Sequence, residues 1–363
     1  MSERKILPDG SSLLTQWSYD GNGNRVMEVK PNGTVVSGSY DDQDRLLSYG
    51  DYTFTPTANG ELISRCQGSV CQYFDYDVFG NLRHVILDNG TQIEYVIDGR
   101  NRRIGKKING TLVQGFVYDD QLRIVAELDG SNQVVSRFVY ADHINVPEII
   151  GKGGETYRIL HDHLGSPRFV IDTETGEVVQ EMQYDAWGNV VFDSNPGFQP
   201  FGFAGGIFDA HTKLLRFGAR DYDPQVGRWT SKDPLGFGEG RDLGLFSYSF
   251  NDAVNVYDPF GLSGLWELCK YSWKATAPVR IAKALNCYFK WLACTQSGEM
   301  ECIRRFDNRC QQQGMCMNWV RNCCDREWFY CAVDPFTEHN FLSCSAIPPR
   351  FPCGKLYACP LHG

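Results

Sequence analysis

Tyr76-Asp77-Val78-Phe79-Gly80-Asn81 returns as Tyr184-Asp185-Ala186-Trp187-Gly188-Asn189 and, with a second glycine, as Tyr19-Asp20-Gly21-Asn22-Gly23-Asn24. Looser copies begin at Tyr40, Tyr95, Tyr118, Tyr140 and His161. Neighbouring copies lie 21 (Tyr19 to Tyr40), 19 (Tyr76 to Tyr95), 23, 22, 21 and 23 residues apart. The 36-residue gap from Tyr40 to Tyr76 fits two periods with one eroded copy. A self-similar period near twenty marks a repeat architecture in which each unit is one supersecondary element.

The unit reads as a β-hairpin. Ile93-Glu94-Tyr95-Val96-Ile97, Phe116-Val117-Tyr118 and Val134 to Tyr140 are β-branched and aromatic runs of strand length. Asn32-Gly33, Asn89-Gly90, Asn109-Gly110 and Asp129-Gly130 lie between such runs. These dipeptides supply the positive φ angles of a two-residue hairpin turn. Three of them continue into Thr and spell a glycosylation sequon, which the turn context accounts for. Hairpins stacked in series give a long antiparallel sheet whose faces alternate.

The chain changes character after Asp258-Pro259-Phe260-Gly261-Leu262. Of its 14 cysteines only Cys66 and Cys71 precede that point, and 12 follow it. Ser263–Gly363 carries 12 Lys+Arg against 8 Asp+Glu, a net of +4, whereas residues 1–262 carry 23 against 36, a net of −13. An acidic body repels polyanions, so no nucleic-acid binding by the body is expected. No run of about 18 apolar residues implies a transmembrane helix. Met1 to Pro8 lacks the apolar core of a signal peptide, so any export signal is expected outside this chain.

The repeat units resemble the YD repeats of the Rhs family and its relatives, the C components of Tc toxins and the wall-associated contact-inhibition proteins. The resemblance covers most of residues 15–262 and is strongest from Gln199 to Leu262. There Phe201-Gly202-Phe203-Ala204-Gly205-Gly206-Ile207-Phe208-Asp209, Ala219-Arg220-Asp221-Tyr222-Asp223-Pro224, Gly227-Arg228-Trp229 and Asp233-Pro234-Leu235-Gly236 follow the family's repeat-associated core in order. The resemblance implies a mainly β fold: an antiparallel YD-repeat sheet forming part of a spiral, cocoon-like shell around a C-terminal toxin. Its expected organisation is YD repeats over 1–198, a repeat-associated core with a self-cleavage motif over 199–262, and a Cys-rich variable toxin domain over 263–363. The body is shorter than a family shell, so the chain reads as the C-terminal part of a longer Rhs protein. The implied partners are the upstream part of the shell and a cognate immunity protein, with the target-cell component unnamed. The implied setting is bacterial, secreted or at the cell surface.

Asp233-Pro234-Leu235-Gly236 and Asp258-Pro259-Phe260-Gly261 lie 25 residues apart. Each is a good turn by itself, with Asp first, Pro second and Gly fourth. The resemblance adds an aspartyl-type autoprotease: Asp233 and Asp258 catalyse cleavage between Leu262 and Ser263. Such chemistry needs two carboxylates close together, one acting as acid and the other as base for an attacking water. Arg228 and Lys232 are the candidates for holding one carboxylate ionised. Ala253 stands where the family usually has Pro, and Phe237 to Asp242 lacks the family's Gly-Gly pair. No cofactor and no metal are expected, since His161 and His163 share a strand face with no evident third ligand.

Leu265–Trp273, Val279–Cys294, Met300–Gln313 and Cys316–Cys331 read as helices. Cys287 and Cys294, Cys302 and Cys310, Cys316 and Cys323, and Cys324 and Cys331 are pairs seven or eight residues apart, two turns along one helical face. With Cys269, Cys344, Cys353 and Cys359 they complete the twelve, enough for six disulfides in a small α-helical domain. Zinc is the lesser reading, because Cys-x2-Cys knuckles are lacking. Cys66 and Cys71 read as either a local disulfide or two thiols. Two rivals to a toxin remain: an extracellular YD-repeat binding or structural protein with a disulfide-stapled cap, and a degenerate orphan cassette.

Overall fold

The computed structural model describes residues 2–6, 10–236 and 244–262. The chain divides into two units, Met1–Gly264 and Leu265–Gly363. The expected helical, disulfide-rich domain lies outside the described residues. So do all twelve of its candidate disulfide cysteines: Cys269, Cys287, Cys294, Cys302, Cys310, Cys316, Cys323, Cys324, Cys331, Cys344, Cys353 and Cys359.

Nineteen strands, from Ser2–Ile6 to Val190–Asp193, form one sheet. Each pairs antiparallel with its neighbours in sequence, as in Phe74↔Val85 and Ile93↔Val85. Helical structure among the described residues is confined to two 3₁₀ turns, Phe203–Gly205 and Ser249–Asn251. The described region is therefore the antiparallel β-structure that the repeat implies.

The aspartate of the Tyr-Asp pair makes the turn at one end of its hairpin. Asp77 N–H donates to Asn81 O at 3.0 Å and Gly80 N–H to Asp77 O at 3.0 Å. Asp77 Oδ1 accepts from the Phe79 and Asn81 backbone N–H groups at 2.9 and 3.0 Å. Asp20 and Asp185 do the same in their copies. The third residue after the aspartate has positive φ, which is why it is Gly80 (79°) or Gly188 (90°), and Asn101 (61°) elsewhere. A Cβ on Gly188 would also sit 2.3 Å from Phe203 Cγ.

The structure locates the eroded copy, and two details differ from the sequence reading. The eroded copy is Pro56-Thr57-Ala58-Asn59-Gly60-Glu61, where Thr57 Oγ1 replaces the carboxylate and accepts from Gly60 and Glu61 N–H. The copy placed at Tyr95 turns at Ile97-Asp98 instead, and Tyr95 is a buried strand residue. Of the four Gly dipeptides, Asn109-Gly110 makes the two-residue turn, with both φ angles positive. Asp129-Gly130 opens a carboxylate turn like Asp77, with Asn132 as its positive-φ residue.

Successive copies are also tied laterally. Tyr40 OH donates to Arg25 O and Tyr118 OH to Arg103 O, each at 2.9 Å. Asn24 Nδ2 reaches Asp44 Oδ1 at 2.6 Å and Asn81 Nδ2 reaches Asn101 Oδ1 at 3.1 Å. These bonds span about one period, so each unit satisfies the polar groups of the next. Cys66 and Cys71 are cross-strand partners and form a disulfide.

A second, four-stranded sheet is built from Ile207–Phe208, Leu215–Phe217, Arg220–Asp223 and Arg228–Trp229. This sheet and its flanking residues enter all three apolar clusters of the long sheet. Phe201 joins Phe116, Ile124 and Ile150, while Leu214 and Val226 join Phe54, Leu82 and Ile93. Phe217, Tyr222 and Trp229 join Trp17, Met182 and Trp187. The boundary expected at 198/199 falls in the connection between sheets that share one core. The second sheet acts as a plug on the repeat sheet.

Two of the turn carboxylates contribute to the acid stability, whereas burial raises the carboxyl of Asp185 in its turn. Burial alone would raise the Asp41 and Asp98 carboxyls, but backbone N–H groups and the arginine of each turn outweigh it and hold both below the usual range. A folded value below the unfolded one, about 3.9, stabilises the fold above that pH, and the gain is lost as pH falls through the folded value. The thermal midpoint of the full chain should therefore be flat from about pH 5 to 7 and fall below about pH 4. Asp41→Asn should lower the midpoint at neutral pH and shallow the acid decline. A midpoint that rises on acidification would contradict this.

Candidate functional site

The strand Arg220–Asp223 is buried throughout, and its side chains alternate. Asp221 and Asp223 face the repeat sheet. Asp221 meets Arg103 at 2.7 Å and Arg216 at 3.0 Å, and Asp223 meets Arg65 at 2.8 Å. Arg220 and Tyr222 serve other partners: Tyr222 OH donates to Trp187 O at 2.8 Å, and Arg220 stacks 4.2 Å from the Trp229 ring.

Arg220 is where the two Asp-Pro-x-Gly motifs meet. Its Nη2 is 3.0 Å from Asp233 Oδ2 and 3.6 Å from Asp258 Oδ2. Its Nε donates to Gly261 O at 2.6 Å and its Nη1 to Leu245 O at 3.2 Å. All three charged side chains are buried. Each motif also makes the turn that its sequence describes. Gly236 N–H donates to Asp233 O at 2.9 Å and Gly261 N–H to Asp258 O at 3.3 Å, with φ of 64° and 63° at the glycines. Ala219 N–H holds Phe260 O at 2.9 Å. Gly218 is required beside it, because a Cβ there would lie 2.3 Å from Phe260 O.

The arrangement places two carboxylates and the Gly261 carbonyl on one guanidinium. The Leu262–Ser263 bond is the peptide that follows Gly261–Leu262, and Ser263 lies outside the described residues. One carboxylate can act as base toward water and the other as acid toward a departing amine. The fork geometry of arginine lets one side chain hold several acceptors at once.

Arg228, expected beside a catalytic carboxylate, is elsewhere. Its Nη1 donates to Asn24 Oδ1 at 2.8 Å and its Nη2 to Asp44 O at 2.7 Å. Arg216 makes the same pair of bonds one region further on, to Asn81 Oδ1 at 2.7 Å and Asn101 O at 3.1 Å. Two plug arginines thus each bridge two successive repeat turns. Burial pushes the Arg228 guanidinium below its ordinary value. The physical reason for the correction is strand direction: Arg228 lies on the short strand Arg228–Trp229 and faces the repeat turns, whereas Arg220 faces the carboxylates. Arg220 stood in a motif already visible in the sequence, but nothing local marked it as the partner of residues 13 and 38 positions away.

Two other candidate groups have ordinary roles. His163 Nε2 is 2.8 Å from Val254 O, and His161 packs edge-on against the His143 ring at 4.0 Å. Among the described residues no group of three or more His, Cys, Asp or Glu side chains is placed to hold a metal.

The Teneurin YD-shell family profile matches residues 5–254. Teneurin-3 of Danio rerio is 33% identical over 229 residues, 61% of this chain and 8% of the relative. Teneurin-3 of Mus musculus is 32% identical over 259 residues, 68% of this chain and 9% of the relative. Teneurin-m of Drosophila melanogaster is 28% identical over 255 residues, 67% of this chain and 9% of the relative. The chain thus spans under a tenth of these relatives' length. Among solved structures, TcdB2-TccC3-TEV is similar with a TM-score of 0.41 and 17% identity, covering 72% of this chain and 18% of that one.

Arg228→Met should lower the unfolding free energy by about 1.5–3 kcal/mol, the size of hydrogen bonds to a charged group. Lys107→Ala, which removes a one-third-exposed pair with Glu94, should cost under about 1 kcal/mol. Denaturant unfolding of both variants beside the parent chain measures the contrast. Equal losses would contradict the buried role of Arg228.

Proposed function

The chain belongs to the Teneurin YD-shell family, and on that premise we propose that residues 2–262 are a section of a YD-repeat shell that holds the Cys-rich residues 263–363 and cuts itself from them after Leu262. The observation that carries this reading is the meeting of Asp233 and Asp258 on Arg220, with the same guanidinium gripping Gly261 O. In the proposed reaction a water adds to the Leu262 carbonyl carbon as one carboxylate takes its proton. The other gives a proton to the Ser263 nitrogen as the C–N bond breaks. Arg220 positions both carboxylates and the segment that leads to the bond.

In its finer form the reading is a secreted polymorphic toxin of the Rhs type, used in bacterial competition. The tail is its effector. Its partners are further shell strands and an immunity protein. Among the described residues the strands Ser2–Ile6 and Val190–Asp193 are the two edges of the sheet, where further strands would add. A second reading, an extracellular or surface YD-repeat binding protein whose tail is a stapled cap, is favoured by the teneurins among its relatives.

Intact-mass analysis of the purified chain separates the two. The first reading predicts two species divided after Leu262, and a single uncut chain for Asp233→Asn and for Asp258→Asn. Uncut parent chain with a folded shell, judged by its cooperative unfolding, would remove autoproteolysis and leave the binding protein.

A further inference from the structure

Asp233, Asp258, Gly261 O and Leu245 O lie around the edge of the Arg220 guanidinium. Hydrogen bonds of this kind run in the plane of the fork. The face of the group needs a different contact, and Trp229 supplies it: the guanidinium carbon lies 4.2 Å from the ring centroid. Strand register brings the two together. Trp229 is paired with Tyr222, and Tyr222 stands two residues beyond Arg220 on its strand. Alternation therefore puts Arg220 and Trp229 on one face of the small sheet as diagonal neighbours, within reach for long side chains.

The ring is itself held. Trp229 is 3% exposed and meets Phe217, Tyr222 and Tyr248 at centroid distances of 5.9, 5.7 and 5.3 Å. Its backbone N–H donates to Phe246 O at 2.9 Å. The neighbouring Leu245 O accepts from both Arg220 Nη1 and the Asp233 backbone N–H. Apolar packing alone does not account for a tryptophan here. Among the described residues nothing accepts from the buried Trp229 Nε1–H. An unpaired buried donor costs free energy that phenylalanine or leucine would not. What distinguishes tryptophan from both is the strongest attraction of any ring face for a cation.

We propose that Trp229 is a positioning residue for the cut after Leu262. Its face fixes the plane of the Arg220 guanidinium, so that one fork meets Asp233, Asp258 and the Gly261 carbonyl together. The inference rests on the cleavage reading and adds to it the residue that aims its arginine. Trp229 acts through Arg220 and takes no part in bond making.

The test follows cutting of the full chain made by cell-free translation, sampled over time by intact-mass analysis. Increasingly fluorinated tryptophan, placed at position 229 alone, keeps the shape of the ring and drains the negative charge from its face. The rate should fall stepwise, to about one-tenth for the most fluorinated ring. A packing role would leave the rate level. Trp229→Phe should keep more of the rate than Trp229→Leu, although both leave a cavity, with cooperative unfolding showing that each variant is folded. In a parent chain that cuts, level rates across the fluorinated series, or a leucine variant as fast as the phenylalanine one, would overturn the role of Trp229 and leave the cleavage reading standing. A folded parent chain that stays whole would overturn the cleavage reading and this role with it.

Discussion

Most cations buried between the two sheets find an acceptor there, and the structure is arranged around those pairs. The charged side chains of the seam are buried, so an unmet guanidinium would cost more than a surface ion pair ever returns. The plug and the repeats answer one another. Asp223 answers Arg65, Asp221 answers Arg103, and Asp209 answers Lys106, each joining a plug carboxylate to a repeat-strand cation. In the other direction, Arg228 and Arg216 leave the plug and end on the asparagines and backbone carbonyls of the turns.

This gives the repeat motif two functions. The aspartate closes its own turn by accepting backbone N–H groups, a local requirement met in nearly every copy. The final asparagine bonds back to that aspartate and also reaches outward: Asn24 and Asn81 each serve the next turn and a plug arginine. Asn189 donates to Pro224 O in the plug. Where the asparagine becomes Arg45 or Arg102, the side chain pairs with its own aspartate and also reaches the next turn, donating to Thr57 O and to Asp120 O. The candidate cleavage site follows from the same plan. The strand that sends Asp221 and Asp223 to the repeats must, by alternation, send Arg220 the other way, where Asp233 and Asp258 wait.

The legible part of the fold was the part written in local chemistry. Asp-x-x-Gly-Asn closes a turn using only neighbouring atoms, so its copies could be counted along the chain. Where a copy kept the shape and changed the letters, reading failed. Thr57 performs the aspartate's task with a hydroxyl, and Asp98 turns after Ile97 with no tyrosine before it. The Asp-Pro-x-Gly turns were equally local and form as their sequences describe. Partner choice was not legible, because it is settled across long separations. Arg228 lies near Asp233 in sequence, yet its acceptors are Asn24 and Asp44, 204 and 184 positions away.

The central claim is that buried pairs, and not apolar contact alone, hold the plug on the repeat sheet. A double-mutant cycle on Arg65 and Asp223, using Arg65→Met and Asp223→Leu with denaturant unfolding, tests it most directly. Each single change should cost about 3–5 kcal/mol by stranding a buried charge, and the double variant should recover most of that loss. Strictly additive losses, with no coupling between the two positions, would contradict the claim.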